Sequence, residues 1–234
     1  MFSARKRRCL TGMTDTSSSS VIIPDVTGDA VARYEKDSHS GSTWYDLISP
    51  EANGTDNGPA LAFPRFNGAE WIAMGQPVKL DFAGAFSVSL WASQDGDAAH
   101  SFERLISRDN NTDRSFLVSQ HDNSGNPFFG IFVSGGLKSV QGGGAFDDGL
   151  WHHYGLINEG AGGDLLIYID GVLHATGAGN GGAMDIDPAD LEVGRAQNAS
   201  AYLEGRCDTA RLYSRALSAD EILRDYHAGK PAHP

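Results

Sequence analysis

Apolar and polar positions alternate in short runs along most of the chain, separated by Gly, Asn and Asp, and this period of two predicts strands rather than helices. The run "FSVSLWAS" shows it best. Phe86, Val88 and Leu90 fall on one face, and Ser87, Ser89 and Trp91 on the other, so one side packs and the other is largely polar. "LISRD", "SFLVSQ", "FFGIFVS", "LIYID" and "LEVG" continue the series, and "HDNSGNP" (His121 to Pro127) is a ready hairpin turn. No internal repeat is evident. Only the C-terminus changes period. In "SADEILRDYH", Ser218 is an N-cap with Glu221 at the capping-box position, and Ile222, Leu223 and Tyr226 form an apolar stripe. This is one short helix, ended near Gly229 and Pro231 and expected to close one end of the strand assembly. The fold class is therefore all-β, a sandwich with one C-terminal helix.

Composition supports burial as the source of stability. The 234 residues are 40% hydrophobic, with 29 glycines and 9 prolines, a balance that suits many tight turns. A sandwich of this length is ordinarily one domain, here residues 21–234, behind a flexible basic and Ser-rich arm over residues 1–20. The formal charge is −12, although Arg5, Lys6, Arg7 and Arg8 crowd into the arm. Setting those four aside leaves 14 basic against 30 acidic residues, of which Asp15 also lies in the arm, so the body, with 14 basic against 29 acidic residues, carries −15 and repels nucleic acid and anionic lipid. The arm itself reads as a solvated terminus, and Met13 is an alternative start. "MFSARKRR" opens like a signal peptide, but the following "CLTGMTDTSSSS" has no apolar stretch of ~7–15 residues, so export by that route and membrane anchoring are not expected. Cys9 and Cys207 read as free thiols made in a reducing compartment.

The stretch "DGLWHHYGLINEGAGGDLLIYIDG" (Asp148 to Gly171) contains adjacent histidines that invite a metal-site reading. On a strand, however, successive side chains point to opposite faces, so His152 and His153 do not share an ion without a bulge. One packed histidine and one surface histidine is the simpler expectation.

This stretch also resembles the laminin G-like domains of the concanavalin A-like lectin/glucanase superfamily, which write two neighbouring strands as D-G-x-W-H-H and L-Y-I-D-G. Asp148, Gly149, Trp151, His152 and His153, followed by "LIYIDG", fit that pattern. "LEVGRAQNASAYLEGRCDTARLYSRALSADEI" is similar to the family's closing run, with Gly194, Gly205, Asp208, Arg211, Tyr213 and Arg215 to Ser218 on its positions. "TWYDLIS", "FNGAEWIAM" and "FSVSLWAS" resemble its opening motifs, so that the likeness covers about residues 30 to 227, and Trp44 and Trp71 take structural places in it. The resemblance implies a jelly-roll-like sandwich of two curved antiparallel sheets. Asp148 and Gly149 then make a turn, Trp151 starts a strand, Gly171 turns the next one, and Leu165, Ile167 and Ile169 face the core between the sheets.

The family resemblance is specific for fold and leaves function to the site residues. Hydrolases of the superfamily carry two carboxylates on one strand, typically E-x-D-x-x-E, and retaining glycosidases hold such groups ~5 Å apart. No such run exists here, and Asp185 and Asp187 in "DIDPAD" belong to a turn. Calcium is the cofactor candidate, since the family often holds it in rim loops. "DNNTD" offers Asp109, Asn111 and Asp113 at alternating positions, beside the plainer reading of a loop turn. For ligand binding, Trp91 on the polar face, joined by Tyr168, is the candidate platform for a sugar or a protein, against the plainer reading of ordinary sheet residues. Two non-catalytic functions emerge. One is a bacteriophage virion accessory protein, a capsid decoration or fibre adhesin made in the cytoplasm and displayed on the particle, with a protein partner and a possible homo-oligomer. The other is a soluble polysaccharide-binding lectin.

Overall fold

In a computed structural model, residues 65–95, 102–121, 124–134, 136–196 and 201–233 are described, with the backbone of four short strands before them. Those four are β1 (Ala32–Tyr34), β2 (His39–Ser40), β3 (Thr43–Trp44) and β4 (Gly54–Asp56). They lead to β5 (Arg65–Asn67) and β6 (Ile72–Ala73). The longer strands are β7 (Phe86–Gln94), β8 (Arg104–Asp109), β9 (Arg114–His121), β10 (Asn126–Val133), β11 (Gly136–Gln141) and β12 (Trp151–Asn158). After these come β13 (Leu165–Ile169), β14 (Val172–Gly177), β15 (Leu191–Val193), β16 (Glu204–Tyr213) and the helix α1 (Ala219–Gly229). The basic arm, Cys9 and Met13 lie outside the described residues.

The strands form two antiparallel sheets. One runs β1-β16-β7-β12-β13-β14, with β5 also paired to β16, and the other runs β11-β10-β9-β8-β15-β6-β4-β3-β2. Between them lies one apolar core, and the alternation read in the sequence decides who enters it. Phe86, Val88 and Leu90 of β7, Leu156 of β12, and Leu165, Ile167 and Ile169 of β13 meet Phe116, Val118, Phe129 and Ile131 of the facing sheet. Each fully buried side chain of this kind contributes about 1.5–3 kcal/mol. The expected hairpin after β9 is present, with His121 paired to Asn126. Cys207 is buried and free, and burial pushes its thiol far above the usual range.

The helix departs from expectation in position. Its capping box is as read: the Glu221 N–H reaches the Ser218 hydroxyl at 3.3 Å, and the Ser218 N–H donates to Glu221 Oε2 at 2.8 Å. Yet α1 does not close an end of the sandwich. It lies across the outer face of the seven-stranded sheet, so that β7 is buried along its whole length. The reason is polar. The serines of β7 are its anchor points: Ser87 Oγ donates to the Arg215 carbonyl and accepts from the Leu217 N–H, and Ser89 Oγ donates to Asp225 Oδ2 at 2.7 Å. Arg211 and Asp225, both buried, pair at 3.3 Å in the same layer. Ile157, Tyr168, Tyr213, Leu217 and Ile222 fill the apolar half of this second layer.

Candidate functional site

Two turns place the histidines. Gly149, at φ 78°, precedes β12, and Asp170 with Gly171, at φ 52° and 81°, joins β13 to β14 with Ile169 opposite Val172. Two successive positive φ values are those of the tight hairpin turn that Asp-Gly favours. The Asp170 carboxylate turns back over β12, accepting the His153 N–H at 2.9 Å on Oδ1 and lying 2.8 Å from His152 Nδ1 through Oδ2. His152 Nε2 is 3.3 Å from Asp148 Oδ1. Burial pulls the His152 pKa down, but the Asp170 hydrogen bond and the charges of Asp170 and Asp148 outweigh it and raise it.

His153 has the opposite environment. It is fully buried, with Nε2 3.0 Å from Ser89 Oγ. Because that hydroxyl spends its proton on Asp225, the Nε2–H of His153 is the donor to it. Burial, aided by the positive charge of Arg211, holds its pKa down to about 3. The paired histidines are thus one packed and one rim residue, held by different partners, Ser89 for His153 and Asp170 for His152.

Trp91 occupies the expected face, but the helix has taken the surface. Its exposure is 1%, and its ring stacks on His233 at 4.3 Å and on Tyr226 at 5.7 Å. Trp91 therefore has no open platform of its own. Tyr168 shares the outer face and is covered as well, packed against Ile222 in the layer beneath α1, with 7% exposure. One layer holds the two residues, and no open surface joins them.

What the packing leaves open is a cleft of about 230 Å³ between the end of α1 and the start of β12. Trp91 and His233 are its buried floor, Trp151 and Tyr226 are half-buried, and Leu150, His152, Asp170 and Lys230 complete the lining. Trp151 meets His233 edge-on at 4.8 Å. The Lys230 ammonium lies 5.1 Å from the Tyr226 ring centre and donates to its hydroxyl at 2.8 Å. Aromatic rings beside a cation, a carboxylate and an imidazole suit a ligand that is apolar on its faces and polar at its edges. Sequence reasoning read Trp151 as a strand start and Tyr226 as helix stripe, and passed over Lys230. The cleft draws on four separate segments, β7, the start of β12, the turn after β13 and the end of the chain, and no local pattern marks such a meeting.

The loop offered to calcium is closed by its own arginines. Asp109, 1% exposed, pairs with Arg104 at 3.3 Å and with Arg114 at 3.0 Å, and it accepts the Asn111 N–H at 2.9 Å. The Asn111 side-chain oxygen accepts from the Arg114 guanidinium, and Asp113 accepts from Asn110. Arg104 and Arg114 thus engage the oxygens of Asp109 and Asn111, while the Asp113 carboxylate accepts from the Asn110 amide, and the three candidate ligands lie in one turn. Asp185 and Asp187 are likewise tied to the Ser134 and Arg114 backbone N–H groups.

The two antiparallel sheets around one core define a jelly-roll sandwich of the lectin type. The chain belongs to the concanavalin A-like lectin/glucanases superfamily, whose Laminin_G_3 family model matches residues 66–223. Comparison with curated proteins returned no match. Among solved structures, domain 4 of AbnA, a GH43 extracellular arabinanase from Geobacillus stearothermophilus, in complex with arabinotriose, is similar at TM-score 0.65 and 19% identity, over 85% of this chain and 98% of that one. The binding domain of Paraclostridial Mosquitocidal Protein 1 matches at 0.63 and 14%, over 85% of this chain and 52% of that one. The binding domain of Botulinum Neurotoxin DC in complex with SialylT matches at 0.62 and 11%, over 86% and 52%. The chain spans about half the length of these toxin binding domains. At such identities the likeness is one of fold.

Proposed function

We propose that the protein is a non-catalytic carbohydrate-binding module and that the cleft at the end of α1 holds a neutral sugar. The observation that carries this reading is the pair of half-buried aromatic rings, Trp151 and Tyr226, set beside Asp170, His152 and Lys230. A pyranose or furanose presents C–H groups to such rings and hydroxyls to such edges. Glycoside hydrolysis uses two carboxylates, whereas Asp170 is the one carboxylate lining the cleft among the described residues, and it is engaged by His152 and His153. The similar arabinanase domain, seen in complex with arabinotriose, supports a glycan as the ligand class. Calorimetric titration with arabinotriose and other neutral oligosaccharides tests the reading. Saturable binding that weakens at least about tenfold in Trp151→Ala is expected, since losing a stacked ring costs about 1.4 kcal/mol or more. Binding unchanged in that variant would refute the site.

The setting of this activity on a bacteriophage particle, as a decoration or adhesin, is the narrower proposal that the sequence makes. Mass spectrometry of purified particles from a lysate containing this chain tests it directly: the chain should copurify at fixed stoichiometry, and its absence from the particles would end the idea.

A further inference from the structure

On the opposite side of the sandwich, we infer that a second pocket binds a single carboxylate carried on a six-membered ring. The pocket, about 170 Å³, opens on the outer face of the nine-stranded sheet. Its apolar walls are Phe102, Phe128, Phe132, Leu117 and Leu137, and its charged side is Arg104, Arg114 and Asp109. Leu117, Phe128 and Phe132 form a cluster of their own, separate from the core between the sheets, because alternate residues of β9 and β10 face outward.

The charge count points to an anion. Among the described residues of the lining, two guanidiniums share one carboxylate, Asp109, at 3.3 and 3.0 Å. Asp187 lies nearby but is held by the Arg114 backbone N–H rather than by its guanidinium. Arg104 is 8% exposed and spends two nitrogens on the Phe102 carbonyl and Asp109, while its buried Nε meets no acceptor among the described residues. Burial lowers the Arg104 pKa despite the opposing pull of Asp109, and the charge of Arg114 lowers it a little further. Arg114 lies 4.8 Å over the Phe132 ring, which holds its guanidinium at the wall. A guanidinium with spare donors matches the two oxygens of a carboxylate.

Size and field narrow the ligand further. A cavity of about 150 Å³ lined by Leu, Ile and Phe admits benzene, so this one has room for a single ring. The body of the protein is strongly acidic, which opposes a polyanion and leaves one isolated carboxylate as the acceptable charge. An acidic sugar residue and an aryl carboxylate both present that chemistry.

The test is titration of the full chain with methyl glucuronoside and with benzoate, each paired with its neutral counterpart, methyl glucoside and benzamide. Binding of either carboxylate and not of its neutral partner is expected, and which one binds identifies the source. Asp109→Asn removes the competing carboxylate and is expected to tighten binding several-fold, an effect that a merely structural ion pair would not produce. Arg114→Gln should weaken it at least about tenfold. Should Arg114→Gln fail to fold, Leu137→Trp, a substitution at a half-exposed rim position, fills the pocket and should block binding equally. Trp151→Ala leaves this site unchanged, which separates it from the glycan cleft. Acid and neutral forms binding alike, no binding by folded protein at millimolar ligand, or no gain in Asp109→Asn would overturn the inference.

Discussion

His152 has carboxylate oxygens 2.8 and 3.3 Å from its two ring nitrogens, whereas His153 has a hydroxyl on one nitrogen and Arg211 as a repelling charge. The two therefore act on stability with opposite sign. His153 is neutral when folded, with its pKa at about 3 against 6.5 when unfolded. Below pH 6.5 the unfolded chain takes up a proton that the folded chain refuses, so stability falls by about 1.4 kcal/mol per pH unit down to about pH 3. His152 has a raised pKa, so its contribution is full below 6.5 and is lost as pH rises through the raised value. Denaturant unfolding from pH 5 to 8 should show a maximum near 6.5, with the acid limb flattened in His153→Gln. An unaltered acid limb in that variant would show that His153 is not the group responsible. Asp109 makes a second prediction at this scale. With two guanidiniums on its carboxylate, adding millimolar calcium should leave the melting temperature unmoved. A calcium-dependent rise abolished by Asp113→Asn would reinstate the loop as a metal site.

Among the elements, α1 decides what the seven-stranded sheet can offer. Its last residue, Gly229, lies so close to Trp91 that a Cβ there would collide with the indole Nε1 and come within 2.8 Å of Cε2. Helix propensity favours Ala over Gly by about 1 kcal/mol, so a loss of stability in Gly229→Ala would identify the contact as the stronger effect. A net loss of about 1 kcal/mol or more is expected, with Gly84→Ala, which meets nothing within 4 Å, close to neutral as the control. Equal effects of the two would place the helix elsewhere. The alternation in β7, the capping box at Ser218 and the turn at Asp170 were legible in the sequence because each is local, set by the pleat, by one hydrogen-bonded turn and by two backbone angles. The cover over β7 was not. Ser89 reads as a solvent residue until its partner Asp225, 136 positions later, is brought onto it, and no window of local sequence carries that pairing. For the same reason Trp91 was read on the correct face and given the wrong exposure, while Trp151 and Tyr226, each plain in its own element, became a site only by meeting.

At the scale of the whole molecule, the sandwich presents two outer faces with different chemistry. One is partly covered by a helix, at whose end lies a cleft with aromatic rings and mixed charge. The other carries an apolar pocket with two arginines. A body of net negative charge disfavours nucleic acid on either face. Neutral glycans, which neither gain nor lose from that field, suit the cleft best. The most direct test is a broad microbial glycan array probed in parallel with the wild-type chain and with Trp151→Ala, each first shown to be folded. The account predicts a defined set of neutral glycans bound by the wild type and lost from the variant. An array that stays blank, or signals that Trp151→Ala retains, would contradict it.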